Sequence, residues 1–193
     1  MPLTDNSGSW GLVSRLLHWL MAVLIVGLLA LGTYMVNFED DLVVRFELTQ
    51  LHKSFGFAVF VLALLRIFWR ASAGARPALP DGMPEWERTA ARLGHVALYC
   101  LMLALPLSGW LLASASPLND ADAFPFRVAN TVFGLFELPD PFAPGSKLLT
   151  QYFRTLHIVL GLGMAGLVLL HVLAALKHEF LDRDGVLSRM LRG

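Results

Sequence analysis

Two histidines in one long apolar stretch are the residues of this chain that most clearly point to chemistry. His157 and His171 lie fourteen residues apart. In an α-helix this spacing returns to within about 40° of the starting direction and rises about 21 Å, so both imidazoles lie on one face, near opposite ends of a bilayer's hydrocarbon layer. One metal centre cannot use both, whereas two centres can. For each, the alternative is a buried imidazole bonded to a neighbouring carbonyl, and partner histidines at matching depths would argue against it.

The composition is typical of an integral membrane protein. Hydrophobic residues make up 56% and charged residues 16% of the 193 residues, and the mean hydropathy is +0.60. Four apolar stretches reach the length of about 20 residues that a spanning helix needs: approximately 12–36, 51–70, 93–115 and 148–177. We predict an all-α integral membrane four-helix bundle that forms a single domain over residues 1–193, with the first span retained rather than cleaved as a signal peptide.

The positions of the basic residues predict the orientation. The N-terminal segment, the loop between spans two and three and the C-terminal tail hold Arg15, Arg66, Arg70, Arg76, Arg88, Arg92, Lys177, Arg183, Arg189 and Arg192. The other two loops hold only Arg45, Lys53, Arg127, Lys147 and Arg154. By the positive-inside rule both termini are cytoplasmic. The formal net charge of zero carries no information about orientation, and we expect no nucleic-acid partner.

With that orientation the histidines sort into two layers. The outer layer holds His52 and His157, and the inner layer holds His18, His95 and His171. Ligands on facing helices are how four-helix bundles hold cofactors. The spans offer no carboxylate to complete a zinc or di-iron site, so paired imidazoles favour bis-histidine haem. Depth does not separate the inner histidines, and any two of the three are candidate ligands.

Three other features inside the spans have structural interpretations. Met164 lies midway between the two histidines of span four, and we interpret it as packing, since its use as a ligand would leave a histidine without a role. Cys100 is alone and no C-x-x-C-H motif is present, which excludes covalent haem attachment. Gly161, Gly163 and Gly166 match a dinucleotide-binding pattern, but inside a span they favour close helix packing or the approach of a flat macrocycle.

Charged residues near each layer suggest contacts with ligands. Arg15 precedes His18 by three residues, which would place a guanidinium near a haem propionate or a quinone head group. On the outer side Lys53, Lys147 and Arg154 would attract an anionic donor, although interfacial anchoring is an equally good interpretation.

The longest non-spanning segment is 116–145. It contains five prolines, and its apolar residues predict a short cap on the outer membrane face.

Seven motifs together resemble the bacterial cytochrome b561 family. They are SRLLHW at 14–19, LHKSFG at 51–56, LRIFWR at 65–70, HVALY at 95–99, LPLSGW at 105–110, HVLAALKH at 171–178 and DGVLSRM at 184–190. The resemblance covers nearly all of the chain from residue 14 to residue 190, and the set of motifs is far more specific than any one of them.

The resemblance implies a multi-pass protein of the bacterial inner membrane with two non-covalent haem b groups. It implies that His18 and His171 hold the inner haem, that His52 and His157 hold the outer haem, and that His95 is a non-ligand near a quinone site. One member of the family, superoxide oxidase, passes electrons from superoxide to ubiquinone.

We therefore expect a cytochrome that transfers electrons between a periplasmic-side donor, either superoxide or a redox protein, and the ubiquinone pool in membrane lipid. As an enzyme it would be a superoxide:ubiquinone oxidoreductase. The alternatives are a haem-bearing anchor subunit that relays electrons for a separate dehydrogenase or hydrogenase, and a haem-free bundle with buried histidines.

Overall fold

Four long helices dominate the computed structural model, which describes residues 3–72, 77–80, 82–119, 128–142 and 145–192. They are α1 (Leu12–Asn37), α2 (Leu42–Ser72), α3 (Glu85–Ala115) and α4 (Lys147–Lys177), followed by a π-helical turn (His178–Asp182) and a short helix α5 (Val186–Arg192). Each of the four is long and apolar enough to cross a membrane. The predicted all-α membrane four-helix bundle is confirmed.

Two of the helices begin well before the predicted spans. α2 starts at Leu42 rather than near residue 51, and α3 starts at Glu85 rather than near residue 93. The added turns carry Arg45 and Glu47 in α2 and Glu85 and Glu87 in α3. Backbone hydrogen bonding continues through these polar turns, whereas hydropathy reports only the part that lies in hydrocarbon.

Consecutive helices pack side by side, α1 on α2, α2 on α3 and α3 on α4. Each of the four long helices contributes to one apolar layer in the middle of the bundle. Its buried members are Met21, Val59, Ala63, Met102 and Met164. Met164 is 1% exposed and packs in this layer, as predicted. The outer faces of the helices are also apolar, and a bundle with such a surface requires hydrocarbon around it.

The N-terminal segment, the α2–α3 connection and the C-terminal helix meet at one end of the bundle, called the inner end here. The backbone N–H of Ala78 donates to the carbonyl of Ser7 at 3.2 Å. Arg189 Nη1 donates to the carbonyl of Ala78 at 3.0 Å, and Arg15 Nη2 donates to the carbonyl of Leu191 at 2.8 Å. Three segments distant in sequence are therefore tied together at this end.

At the opposite, outer end the described part of segment 116–145 forms a cap with a small β-hairpin. Strands β1 (Thr131–Val132) and β2 (Phe136–Glu137) pair antiparallel, and the turn between them uses positive φ at Phe133 and Gly134. The sequence predicts an apolar cap but not these strands, because two residues are too short to show alternation. Phe124 and Phe126, which contributed to that prediction, lie outside the described residues.

Asn130 links this cap to the membrane helices. The side chain is 3% exposed, and its Nδ2 donates to Asp140 Oδ1 at 2.7 Å and to Ser114 Oγ at 3.3 Å. Its Oδ1 accepts from Lys53 Nζ at 3.2 Å. One buried amide thus connects the hairpin with α2 and α3.

Replacing that amide should destabilise the outer end. Asn130→Ala leaves buried polar groups without their partner, so we expect the free energy of unfolding to fall by about 1 to 3 kcal/mol, measured by thermal unfolding of the detergent-purified protein. The control is Asn37→Ala, since Asn37 is exposed and, within the described part of the chain, its side chain bonds just the Thr33 carbonyl of its own helix. Equal melting temperatures for the two variants would contradict a tethering role.

Candidate functional site

The outer histidine pair joins α2 to α4. The ring centres of His52 and His157 are 6.2 Å apart, and their planes are inclined by 77°. Two imidazoles that bind one metal ion through nitrogen from opposite sides, at about 2.0 to 2.1 Å each, place their ring centres roughly 6 Å apart. The outer pair therefore has the separation that a shared metal ion requires.

Each outer imidazole lies against a glycine of a neighbouring helix. A Cβ added at Gly32 of α1 would lie 3.3 Å from His52 Cε1, and one added at Gly109 of α3 would lie 3.1 Å from His157 Cε1. Both distances are shorter than ordinary carbon–carbon contacts. The absence of a side chain at these two positions makes room for the rings.

The two outer imidazoles differ in their hydrogen bonding. Ser108 Oγ lies 2.9 Å from His157 Nδ1, and Ser108 is 2% exposed. His52 Nδ1 is buried and has no hydrogen-bond partner among the described residues. A contact from α3 therefore orients only one ring of the pair.

At the inner end two histidines lie beside His171. The ring centres of His18 and His171 are 6.2 Å apart, and those of His95 and His171 are 5.5 Å apart. The structure thus brings together all three inner histidines that the sequence singled out. The first separation equals that of the outer pair, whereas the second is shorter.

Hydrogen bonds distinguish the inner imidazoles further. Arg66 Nη2 lies 3.2 Å from His18 Nδ1, and Arg66 Nε donates to the Tyr99 hydroxyl at 3.2 Å. A guanidinium only donates, so Nδ1 of His18 is the acceptor in this arrangement. His95 Nδ1 lies 2.7 Å from the Ala91 carbonyl, which only accepts, so Nδ1 of His95 carries its proton.

Arg66 and Ser108 are site residues that the sequence analysis did not identify as such. The sequence pattern used Arg66 only to predict the orientation, although a charged residue inside an apolar stretch is itself a sign of function. Ser108 lies in the LPLSGW motif without an evident role. Arg15, suggested as a ligand contact, bonds the Leu191 carbonyl, and its proposed contact with a ligand stays a prediction.

A separate cluster lies where α3 meets the end of α4. Glu87, His178 and Asp182 bring potential ligand atoms within 4.8 Å of one another. Lys177 Nζ bridges the two carboxylates, at 2.9 Å from Glu87 and 2.7 Å from Asp182. Because an ammonium already pairs with both acids, we interpret the cluster as an ion-pair network that holds the two helices together.

The fold and site define a class of membrane protein, a bundle of apolar helices built around paired histidines near its two ends. The chain belongs to the prokaryotic cytochrome b561 family, whose family model matches residues 9–193. It is therefore a multi-pass bacterial membrane protein and a b-type cytochrome, which binds haem and transfers electrons.

Curated relatives agree with this family over almost the whole chain. Cytochrome b561 homolog 2 of Escherichia coli (strain K12) is 34% identical over 191 residues, which cover 99% of this chain and 95% of the relative. Cytochrome b561 homolog 1 of the same organism is 25% identical and covers 91% and 92%. The probable superoxide oxidase CybB of Yersinia pestis is 25% identical and covers 91% of each chain.

A methyl group at Gly109 should disturb the outer pair. Overpacking by one methyl costs about 1 to 3 kcal/mol, and each 1.4 kcal/mol lost from binding is about a tenfold loss of affinity. We expect Gly109→Ala to release haem more readily than wild type, measured as haem retained during dialysis against apomyoglobin. Gly94→Ala is the matched control, because it adds a methyl to the same helix where nothing lies within 4 Å. Equal retention in the two variants would show that the ring tolerates the contact.

Proposed function

We propose that the protein is a dihaem cytochrome that transfers electrons across the bacterial inner membrane between a periplasmic-side donor and ubiquinone. The observation that carries this proposal is a separation that repeats: 6.2 Å between ring centres in the outer pair and again in an inner pair. Haem bound at such a pair supplies one-electron chemistry, while the protein supplies ligands, burial and orientation.

The residues at the outer end fit a haem between His52 and His157. The pair has the separation that one metal ion needs, and no carboxylate joins it among the groups of potential ligands in the described residues. Gly32 and Gly109 leave room beside the Nδ1–Cε1 edges of the two rings. We therefore assign the outer haem to these two imidazoles.

For the inner haem we propose His18 and His171 as the ligands. Their 6.2 Å separation matches the roughly 6 Å expected for two imidazoles on opposite sides of one metal ion, whereas 5.5 Å between His95 and His171 falls below it. For Nε2 of His18 to bind iron, Nδ1 must carry the proton, so the hydrogen bond from Arg66 must then be released. That release leaves a guanidinium beside the inner pair to bind an anionic group, the role that the sequence suggested for Arg15.

An apolar layer separates the two pairs. Fourteen residues of α4 rise about 21 Å, and the buried layer between the pairs consists of apolar side chains, including Met21, Met102 and Met164. This layer supports electron transfer between two centres without an aqueous path for ions.

The contacts at the inner end support an orientation with both termini in the cytoplasm. The N-terminal segment, the α2–α3 connection and α5 meet there, and these are the segments rich in arginine. Since cytoplasmic segments carry the excess of Lys and Arg, we propose that the inner end faces the cytoplasm. Quinone would then be reduced near His95 at that side.

Superoxide is the donor that we propose. One relative is named a probable superoxide oxidase, and Lys147 and Arg154 are exposed at the outer end. Lys53 contributes less to the attraction of an anion than the sequence suggested, because its ammonium is partly buried and bonded to Asn130. Glu39 and Asp41 lie in the other outer connection and oppose a uniformly positive surface.

Single histidine replacements should remove haem groups in a defined pattern. We expect His18→Ala, His52→Ala, His157→Ala and His171→Ala each to lower the haem-to-protein ratio from about two to about one, because each leaves a haem with one axial ligand. The ratio is measured by pyridine haemochrome assay on purified protein. His95→Ala is the control and should keep both haems. Loss of a haem in His95→Ala with retention in His18→Ala would reverse the inner assignment.

The proposed electron donor, superoxide, and the proposed electron acceptor, ubiquinone, can be tested with the isolated protein. Detergent-purified wild type, given a superoxide-generating system and a water-soluble ubiquinone analogue, should form ubiquinol at a rate that falls as ionic strength rises, because exposed charges are screened by salt. His52→Ala should lose this activity. Reduction of haem only by a co-purifying dehydrogenase or hydrogenase, with no response to superoxide, would favour the anchor-subunit function instead.

A further inference from the structure

Ser108 contacts the outer pair from a helix that supplies neither of its imidazoles. It lies on α3, two residues after Pro106, and is almost fully buried. Its Oγ is 2.9 Å from His157 Nδ1 and 2.7 Å from the carbonyl of Leu105.

The direction of these hydrogen bonds follows from counting protons. A hydroxyl has one proton to donate, and it can accept through oxygen lone pairs. The Leu105 carbonyl only accepts, so the hydroxyl proton goes to it at 2.7 Å. The Leu105 carbonyl is also a hydrogen-bond partner of the His157 imidazole. The hydroxyl oxygen and this carbonyl then both accept from the ring, so Nδ1 of His157 carries the proton. In a neutral imidazole the other nitrogen, Nε2, keeps a free lone pair.

The residue next to Ser108 fixes the position of the same ring. A Cβ on Gly109 would lie 3.1 Å from Cε1 and 3.4 Å from Nδ1 of His157, but 3.9 Å from Nε2. The Nδ1–Cε1 edge of the ring therefore rests against α3, and Nε2 is farther from it. Two consecutive residues thus hold the ring, one through a hydrogen bond and one through the absence of a side chain.

We propose that Ser108 is the positioning residue of the outer pair: it accepts the Nδ1 proton of His157 and so holds the ring in the tautomer whose Nε2 is free to bind iron. This inference rests on the proposed function, in which His52 and His157 hold the outer haem. An acceptor on the far nitrogen raises the basicity of a metal-bound imidazole. The more basic ligand stabilises ferric over ferrous iron and lowers the reduction potential of that haem.

The other imidazole of the outer pair, His52, has no comparable hydrogen bond among the described residues. Nδ1 of His52 is buried without a hydrogen-bond partner there. With haem bound at this pair, Ser108 would then be the side chain that adjusts the basicity of one of the two imidazoles that hold it.

The test measures reduction potentials of the haem-loaded protein. Ser108→Ala removes the hydroxyl acceptor, and we expect the potential of the outer haem to rise while the inner haem is unchanged. A tenfold weaker preference for ferric iron corresponds to a rise of about 59 mV for a one-electron couple. The electron paramagnetic resonance spectrum of the oxidised outer haem should shift as well, with the outer signal assigned by its absence in His52→Ala. Ser108→Thr keeps the hydroxyl and should restore both properties.

Ser114→Ala is the matched control. Ser114 is a buried serine of the same helix that bonds Asn130 rather than an imidazole, so its loss should leave both potentials unchanged. Unaltered potentials and spectra in Ser108→Ala, or the same shift in Ser114→Ala, would overturn the inference. So would loss of the outer haem in Ser108→Ala that Ser108→Thr does not restore.

Haem content separates this inference from the proposed function. If wild type and His157→Ala bind the same amount of haem, the proposed function itself is wrong. If wild type binds two haems and Ser108→Ala shows wild-type potentials, only the role of Ser108 is refuted.

Discussion

An imidazole placed in the hydrocarbon layer cannot use water for its polar nitrogens, and this constraint governs the neighbourhood of both histidine pairs. A polar group without a partner in such a medium is costly. Three of the five rings have a partner in a neighbouring residue: Ser108 for His157, Arg66 for His18 and the Ala91 carbonyl for His95. Nδ1 of His52 has none among the described residues. A helix that supplies no imidazole to a given pair is therefore still part of its site, because it provides hydrogen-bond partners for the rings or a glycine that leaves room for them.

One helix contributes a histidine to each end of the bundle. α4 supplies His157 and His171, and the regular rise of its backbone determines how far apart the two sites are. The neighbouring helices come close to both rings of the outer pair, with Gly109 where α3 passes the ring of His157 on α4 and Gly32 where α1 passes the ring of His52 on α2. Between the sites lies an apolar cluster to which α4 contributes Met164.

Sequence alone predicted the four spans, and it predicted which histidines share a depth, because hydropathy and residue spacing both report position along the membrane normal. It left the partner of His171 open between His18 and His95, since that choice depends on how each helix is rotated about its axis. The same limit explains why Arg66 was not connected with His18, which lies 48 positions away. The hairpin was not predicted because its strands are too short to show alternation, and the role of Asn130 was not predicted because its amide bonds Lys53, which is far away in the chain.

The position of α4 in chain order has a consequence for biogenesis. It is the last of the four long helices, yet it provides one imidazole to each pair. While the first three helices enter the membrane, His18 and His52 remain without their partners, and neither pair exists until α4 is inserted. Under the proposed function, cofactor loading at both pairs would wait for the final stage of synthesis, because a chain truncated before α4 lacks one imidazole of each pair.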